Sequence, residues 1–427
     1  MDPSPDSSAY RERRLPILLV WTILAIIALA GLIALTMKCR QRGRVHTLAK
    51  IEGLASIPQS LPDGSWRFIV SGDSRNCGDV VMPAIVAHSA QFAPSFYWHL
   101  GDLRAIYKID EDMAFAAAKR GQVLTCDNYE RLAWSDFVAN QIAPFGHLPF
   151  YLGIGNHEVI PPKTEDAFKR EFADWLDLRV LRQQRQKDKE PIQPEPYYHW
   201  IQGGVDFIYM DNASNCFTPD QVKWLRRRLD SAKSDTAIKS VVVGMHEALP
   251  DSIANSHSMG DQGEQSDGTR SGREAYKALV DFREQSRNPD GSPKQVYVLA
   301  SHSHFYMRDI FDTDAIKKIN PQPLPGWIIG TAGAVRYALP DKSPKTAETD
   351  VYGYLLATVS PNGTIEFSFK EVQESDIPQW VRQLYPEALI PWCFARNSQN
   401  KEPNAADITP LCVLPQGKTT PATGNSH

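Results

Sequence analysis

Residues 148–158 read LPFYLGIGNHE, a short apolar and aromatic run that stops at Gly155 and delivers Asn156, His157 and Glu158 in succession. A run this brief, bounded by Pro and Gly and rich in aromatics, reads as a buried strand rather than a helix. The pattern recurs on both sides. WRFIVSGD (66–73) and SFYWHLGD (95–102) precede it, while SVVVGMHEAL (240–249) and QVYVLASHSHFYMRDI (295–310) follow. These runs end on Asp73, Asp102, Asn156, His246, and the pair His302 and His304. Taken singly, a Gly-Asp after a strand is a turn and a lone His is a structural residue. Metal-competent side chains closing five such strands in order are a different matter. Ligands collect at the carboxyl ends of strands in open α/β folds, so side chains this far apart in sequence are expected to converge.

Other runs extend the fold outward. YYHWIQGGVDFIYMD (197–211) and GWIIGTAGAV (326–335) read as strands, and Pro361-Asn362-Gly363 divides residues 352–372 into a hairpin. Between them, TPDQVKWLRRRLDSA (218–232) predicts a helix with Thr218 as N-cap, Pro219 at N1 and Gln221 completing a capping box. Val222, Leu225 and Leu229 form its apolar stripe, and the Arg run is assigned to solvent. Strands alternating with helices predict an α/β core with stacked sheets. Two polar insertions, Arg179–Glu195 and Asp251–Arg273, read as surface loops; the second follows a motif strand and is placed to roof a site. The tail after Val372 leaves wrapping and disorder both open.

The ordered series GDSR, GDLRAIY, GNHE, GMHEAL and SHSHFY resembles the calcineurin-like metallophosphoesterase superfamily, purple acid phosphatases included, over roughly residues 66–370. GTAGA at 330–334 and the helix at 218–232 resemble family features as well. The resemblance implies an α/β fold, a four-layer α/β/β/α sandwich of two mixed sheets. It also implies a binuclear centre: Asp102 bridging, Asp73 and His304 on the first ion, and Asn156, His246 and His302 on the second. Carboxylate and imidazole suit Mn, Fe and Zn alike. Two such ions polarise the phosphoryl group and generate a metal-bound hydroxide as nucleophile. His157 is implied as the catalytic contact to the phosphate or leaving group, with orientation of Asp102 as its bland alternative. The chain departs from the pattern at three places: Ser301 stands where the family has Gly, Arg75 where many members have a ligand His, and Ala105 where purple acid phosphatases have Tyr. Arg cannot be a ligand; Arg75 is read either as a grip on substrate phosphate or as a surface or ion-paired residue. Tyr107, two residues beyond Ala105, is placed to bend inward.

Composition bounds the remaining choices. Of 427 residues, 42% are hydrophobic and 22% charged, which excludes a disordered polymer. Residues 1–50 hold eight Lys/Arg against three acids, leaving 38 against 47 in the remainder and a net charge of −9 there. So acidic a body disfavours nucleic acid as partner. LPILLVWTILAIIALAGLIALTM (15–37) carries no charge and is long enough to span a bilayer. It exceeds a signal-peptide core and runs directly into Lys38-Cys39-Arg40 without a small-residue cleavage site. The expected organisation is a tail (1–14), a transmembrane helix (15–37), a linker (38–65), a catalytic domain (66–372) and a C-terminal extension (373–427). Basic residues flank the helix on both sides; the first-helix tendency favours an inside tail with the catalytic domain on the outer side. With Cys39 set beside the membrane, five cysteines remain; Cys77 with Cys126 and Cys393 with Cys412 are candidate pairs leaving one of the five odd, and buried free thiols are the alternative. The expected function is a membrane-anchored phosphoesterase acting on a phosphorylated substrate. A phosphodiesterase or nuclease using the same ions, and a membrane-tethered binding protein with a degraded metal site, are the rivals.

Overall fold

The structure, a computed structural model, describes residues 61–191, 193–254, 257–341, 343–395 and 412. The expected tail, the apolar span 15–37 and residues 38–60 of the linker lie outside the described residues. Among the described residues, no helix is long and apolar enough to cross a membrane.

The strands are β1 (Trp66–Ser71), β2 (Tyr97–His99), β3 (Phe150–Leu152), β4 (Tyr198–Gln202), β5 (Val205–Met210), β6 (Ser240–Met245), β7 (Gln295–Ala300), β8 (Tyr306–Arg308), β9 (Gly326–Ile329), β10 (Gly353–Val359) and β11 (Ile365–Glu371). They form two mixed sheets, ordered β11-β10-β1-β2-β3 and β4-β5-β6-β7-β9-β8. Within each, the central strands run parallel: β1, β2 and β3 in one, and β5, β6, β7 and β9 in the other. Antiparallel strands close one edge of the first sheet (β10, β11) and both edges of the second (β4, β8), while β3 forms a parallel edge. The result is an α/β fold of two sheets packed face to face.

Alternation along the strands sorts the core into two kinds of layer. Side chains pointing between the sheets are mostly aromatic. Phe207 of β5 meets Phe68 of β1 at 5.1 Å between ring centroids and Phe96 at 5.2 Å. Trp98 of β2 meets Trp200 of β4 at 5.2 Å, and Trp200 stacks on Tyr151 of β3 at 3.8 Å. Each such pair adds about 0.5–1.5 kcal/mol beyond the area it buries. Gly244 in β6 is required by this packing, since a Cβ there would meet the Trp98 ring at 2.6 Å. The outer face of the second sheet is aliphatic instead. Val241, Val243, Val296, Val298 and Ile328 bury against Leu225 and Leu229 of helix Pro219–Ser234 and Leu279 of helix Asp267–Gln285. On the first sheet, Tyr97 touches Met82 of helix Gly78–Ser89, and His99 meets Phe137 of helix Cys126–Phe137.

Three local expectations change. Thr218 caps its helix as expected, but the Gln221 side chain bonds the backbone N–H and C=O of Asp211 instead of closing a capping box. Arg228 does not face water: it is buried and pairs with Asp188 at 2.9 Å. Asp188 ends a helix, Arg179–Asp188, inside what the charge pattern reads as a loop. Its Arg, Gln and Lys residues are good helix formers, and Leu181 alone supplies an apolar anchor.

The cysteines pair differently too. Cys77 joins Cys393, and Cys126 joins Cys412, leaving Cys216 as the free thiol among the described residues. The described residues of the tail lie against the domain, so Cys393 and Cys412 each meet a distant partner rather than one another. Helix Leu389–Phe394 brings Cys393 onto the start of helix Gly78–Ser89. The backbone N–H of Cys412 donates to Tyr107 O at 2.7 Å, beside Cys126. Between them, Tyr385 donates to Asp79 at 2.7 Å.

Candidate metal centre

Asp73 follows β1, Asp102 follows β2, Asn156 follows β3, His246 follows β6, and His302 and His304 follow β7. All therefore leave the carboxyl ends of parallel strands. The loops are tied to one another by backbone bonds: Asp73 N to Gly101 O, Ser74 N to Asp102 O, and Ser301 N to His246 O, each 2.9–3.0 Å. Their turns are tight. Asp73, Asp102 and His302 stand in the left-handed region, with φ of 59°, 58° and 65°. Gly155 is needed for a different reason, since a Cβ on it would meet Asp102 Oδ1 at 2.3 Å.

Two groups of donor atoms result, Asp73–Asp102–His304 and Asp102–His246–His302, with ligand atoms within 4.8 Å of one another in each. Asp102 belongs to both. In the second group, His246 Nε2 lies 3.2 Å from Asp102 Oδ1, 3.0 Å from Asn156 Oδ1 and 3.1 Å from His302 Nδ1. Its other nitrogen faces Leu100 O and the Ser301 hydroxyl, each at 3.1 Å, so the Ser that departs from the family pattern helps to orient this ring. In the first group, His304 Nδ1 donates to Val335 O at 2.5 Å, which leaves the Nε2 lone pair facing Asp73 Oδ1 at 3.3 Å. That fixing carbonyl comes from the loop after GTAGA. The Asp73 backbone carbonyl and Asp73 Oδ2 accept from Ala334 N and His302 N.

The donor set fits metal ions. Asp73 Oδ1 and Asp102 Oδ2 are buried carboxylate oxygens without a hydrogen-bond partner, a costly state that a cation would relieve. Charge in the centre is strongly perturbed. Burial raises the Asp73 pKa to about 6. Burial works the same way on Asp102, but His157 and His246 outweigh it and hold that carboxyl well below its usual range. Burial opposes a charge on His246, yet Asp102 outweighs it and raises the imidazole to about 10. An entering ion displaces such a proton, because imidazole binds metal only when neutral.

His157, expected as the catalytic contact, lies against Asp102. Its backbone N–H donates to Asp102 Oδ1 at 3.0 Å and its Nδ1 to Ala105 O at 2.6 Å. Burial lowers its pKa to about 4. Nε2 thus turns a lone pair toward Asp102 Oδ2 at 3.4 Å, two acceptors that need a proton or cation between them. Glu158 is buried and accepts from the N–H groups of Asp102, Leu103 and Gly155, clamping the two loops together.

Arg75 is 4% exposed and inside the centre, not on the surface. Nη2 donates to His304 Nε2 and to Tyr337 Oη, both at 3.1 Å, and Nη1 to Tyr107 Oη at 3.2 Å. Tyr107 does bend inward, but onto the arginine. Sequence reasoning missed Tyr337 and His257. His257 Nδ1 stands 3.4 Å from His302 Nε2 and its ring stacks on Tyr337 at 5.0 Å. A lone His in a Ser- and Gly-rich segment carries no motif; the one available signal was that the segment follows the His246 strand.

No family model matches the chain, and no curated protein does. Among solved structures, it is similar to purple acid phosphatase from yellow lupin (Lupinus luteus) seeds, with 14% identity, a TM-score of 0.49 and coverage of 76% of this chain and 54% of that one. The chain thus spans about half the length of the lupin protein. It is similar to PhoD, with 15% identity, a TM-score of 0.46 and coverage of 75% and 73%. A metallophosphoesterase from Sphaerobacter thermophilus matches at 13% identity and a TM-score of 0.27, covering 78% of this chain and 99% of that one. These structural neighbours are all folds of the calcineurin-like metallophosphoesterase type.

Proposed function

We propose that this chain is a membrane-anchored, metal-dependent phosphoesterase that hydrolyses a phosphate ester at a binuclear centre. The observation that carries the reading is the placement of Asp102 in both donor groups, with an unpartnered oxygen remaining on it and on Asp73. Asp73, Asp102 and His304 would hold one ion, and Asp102, Asn156, His246 and His302 the other. Bound there, the ions would lower the pKa of a water and neutralise phosphoryl charge. The protein's own part is to orient. Ala105 O fixes the His157 ring, Leu100 O and Ser301 fix His246, and Val335 O fixes His304. His157 borders the shared Asp102, and His257 borders His302. Residues 15–37 supply the anchor in this reading. The two disulfides support placement of the domain in an oxidising compartment on the outer side.

The test compares chromogenic phosphate monoesters with diesters, using protein loaded with Mn, Fe or Zn. Hydrolysis of monoesters is expected, with loss of both turnover and bound metal in Asp102→Ala. Near-parental turnover in that variant with two ions retained would refute the assignment, and a strong preference for diesters would move the chain to the phosphodiesterase class.

A further inference from the structure

The two donor groups are not equivalent, and the difference is Arg75. Around the second group the atoms facing His246 Nε2 and His302 come from Asn156, Asp102 and His257, none of them a guanidinium. In the first group, the lone pair that His304 would offer an ion is already accepting from Arg75 Nη2 at 3.1 Å. The tautomer leaves no choice: Nδ1 is committed to Val335 O, so Nε2 is the acceptor. The same guanidinium places Nε 4.0 Å from Asp102 Oδ2, the unpartnered oxygen of the shared carboxylate. Two tyrosine hydroxyls hold its two ends, Tyr107 on Nη1 and Tyr337 on Nη2. Tyr337 itself stacks on the His304 ring at 3.9 Å, which ties arginine and histidine into one packed unit.

We propose that Arg75 is a resident cation of the first donor group and competes with a metal ion for the His304 lone pair, so that the centre loads in sequence. This rests on the metal-centre reading above. One lone pair serves either a guanidinium N–H or an ion, never both. A dication within a few ångströms of a buried guanidinium is also repelled, and the low dielectric of the site magnifies the repulsion. The Asp102–Asn156–His246–His302 group therefore fills first. The Asp73–Asp102–His304 group fills only when Arg75 releases His304. Arg75 is a specificity-determining residue in this scheme: it sets how many ions the protein carries at a given metal concentration.

The experiment is a metal titration of the full chain in detergent, stripped with chelator and titrated with Mn²⁺ alone, read by calorimetry and by elemental analysis of bound metal. The parent is expected to bind one ion tightly and a second at least about tenfold more weakly, the spacing that like-charge repulsion at this range supports. Arg75→Ala is expected to tighten the weaker ion by at least about tenfold, bringing two ions per chain at concentrations where the parent holds one. Tyr337→Phe, which removes one anchor of the guanidinium and leaves its charge, is expected to narrow the gap in part. It also carries the test should Arg75→Ala fail to fold. Two ions of equal affinity in the parent, or an unchanged gap in Arg75→Ala, would overturn the inference. Absence of any bound ion in parent and variants would overturn the metal-centre reading with it. Sequential loading without ester hydrolysis would support the inference and refute the proposed activity alone.

Discussion

Replacing Arg104 by Met probes the buried charge that holds the two aspartate-bearing loops in place. Arg104 is wholly buried, with Nη1 donating to Asp112 at 2.9 Å and Nη2 to Asp79 at 2.5 Å and to Asp136. A fourth carboxylate, Asp110, lies 3.8 Å from Nη1. One guanidinium thus serves four acids. Asp110 also accepts from the backbone N–H of Asn76 at 2.6 Å and of Ala105 at 3.2 Å, so the cluster fastens the Asp73–Asn76 turn to the Asp102–Ala105 turn. Met fills much of the volume but removes the only cation contacting this group among the described residues. Breaking a buried pair from one side costs about 3–5 kcal/mol. At this chain length that corresponds to a fall in Tm of roughly 3–6 °C. The sign with pH follows from the acids. Burial raises Asp112 well above its usual range, and burial with Asp79 nearby raises Asp136 to about 7. Folded-state values above the unfolded 3.8 mean that the native state takes up protons as pH falls below about 7, which relieves the unpaired charge. Calorimetric unfolding of parent and variant at pH 8 and pH 5 should therefore show the larger loss at pH 8. A loss below about 1 kcal/mol, or a larger loss at pH 5, would refute this account of the cluster.

Two further outcomes follow from groups remote from the metal centre. His199 sits between Asp206 at 2.8 Å and Asp188 at 2.7 Å; burial opposes its charge, but the two carboxylates outweigh burial and raise it to about 9. Its stabilising contribution, on the order of 3 kcal/mol, is therefore complete below pH 6.5 and lost as pH rises through about 9. Urea unfolding of parent and His199→Gln should show that decline in the parent alone, and parallel curves between pH 7 and 9.5 would contradict it. A chain ending after Val372 lacks both tail cysteines and Tyr385; the loss of two disulfides is expected to cost about 2–5 kcal/mol each, and an unchanged urea midpoint would show that the tail contributes nothing.

The parts of the fold that were legible in the sequence are those in which chemistry and periodicity coincide. β1, β2, β3, β6 and β7 are short apolar runs, and each ends on the Asp, Asn or His that the structure brings into the centre. The hairpin at Pro361-Asn362-Gly363 carries its own turn residues. What stayed hidden depends on partners remote in sequence. Arg75 could be seen to be no ligand, but not to lie on His304, because that contact joins positions 229 residues apart. Arg228 belongs to a run of three arginines that looks solvated; its burial is set by Asp188 and Glu190 on another element. The disulfides escaped for the same reason, each closing across nearly 300 residues or more. His257 carried no periodic or motif signal of any kind.

The left-handed backbone at Asp73, Asp102 and His302 sets the proposed metal centre against robustness. A non-glycine residue held in that region costs about 1–3 kcal/mol, and here it is borne three times within one cluster. Two of the three also bury a carboxylate with an oxygen left unpartnered. Glycine at these positions would relax the backbone and remove the buried charge, yielding a scaffold that lacks the proposed metal centre and is more resistant to unfolding. The side chains that make the centre useful are therefore among those that make the metal-free protein weaker than its sheets allow. Selection of variants for thermal endurance alone, with no demand for turnover, would be expected to erode this cluster first.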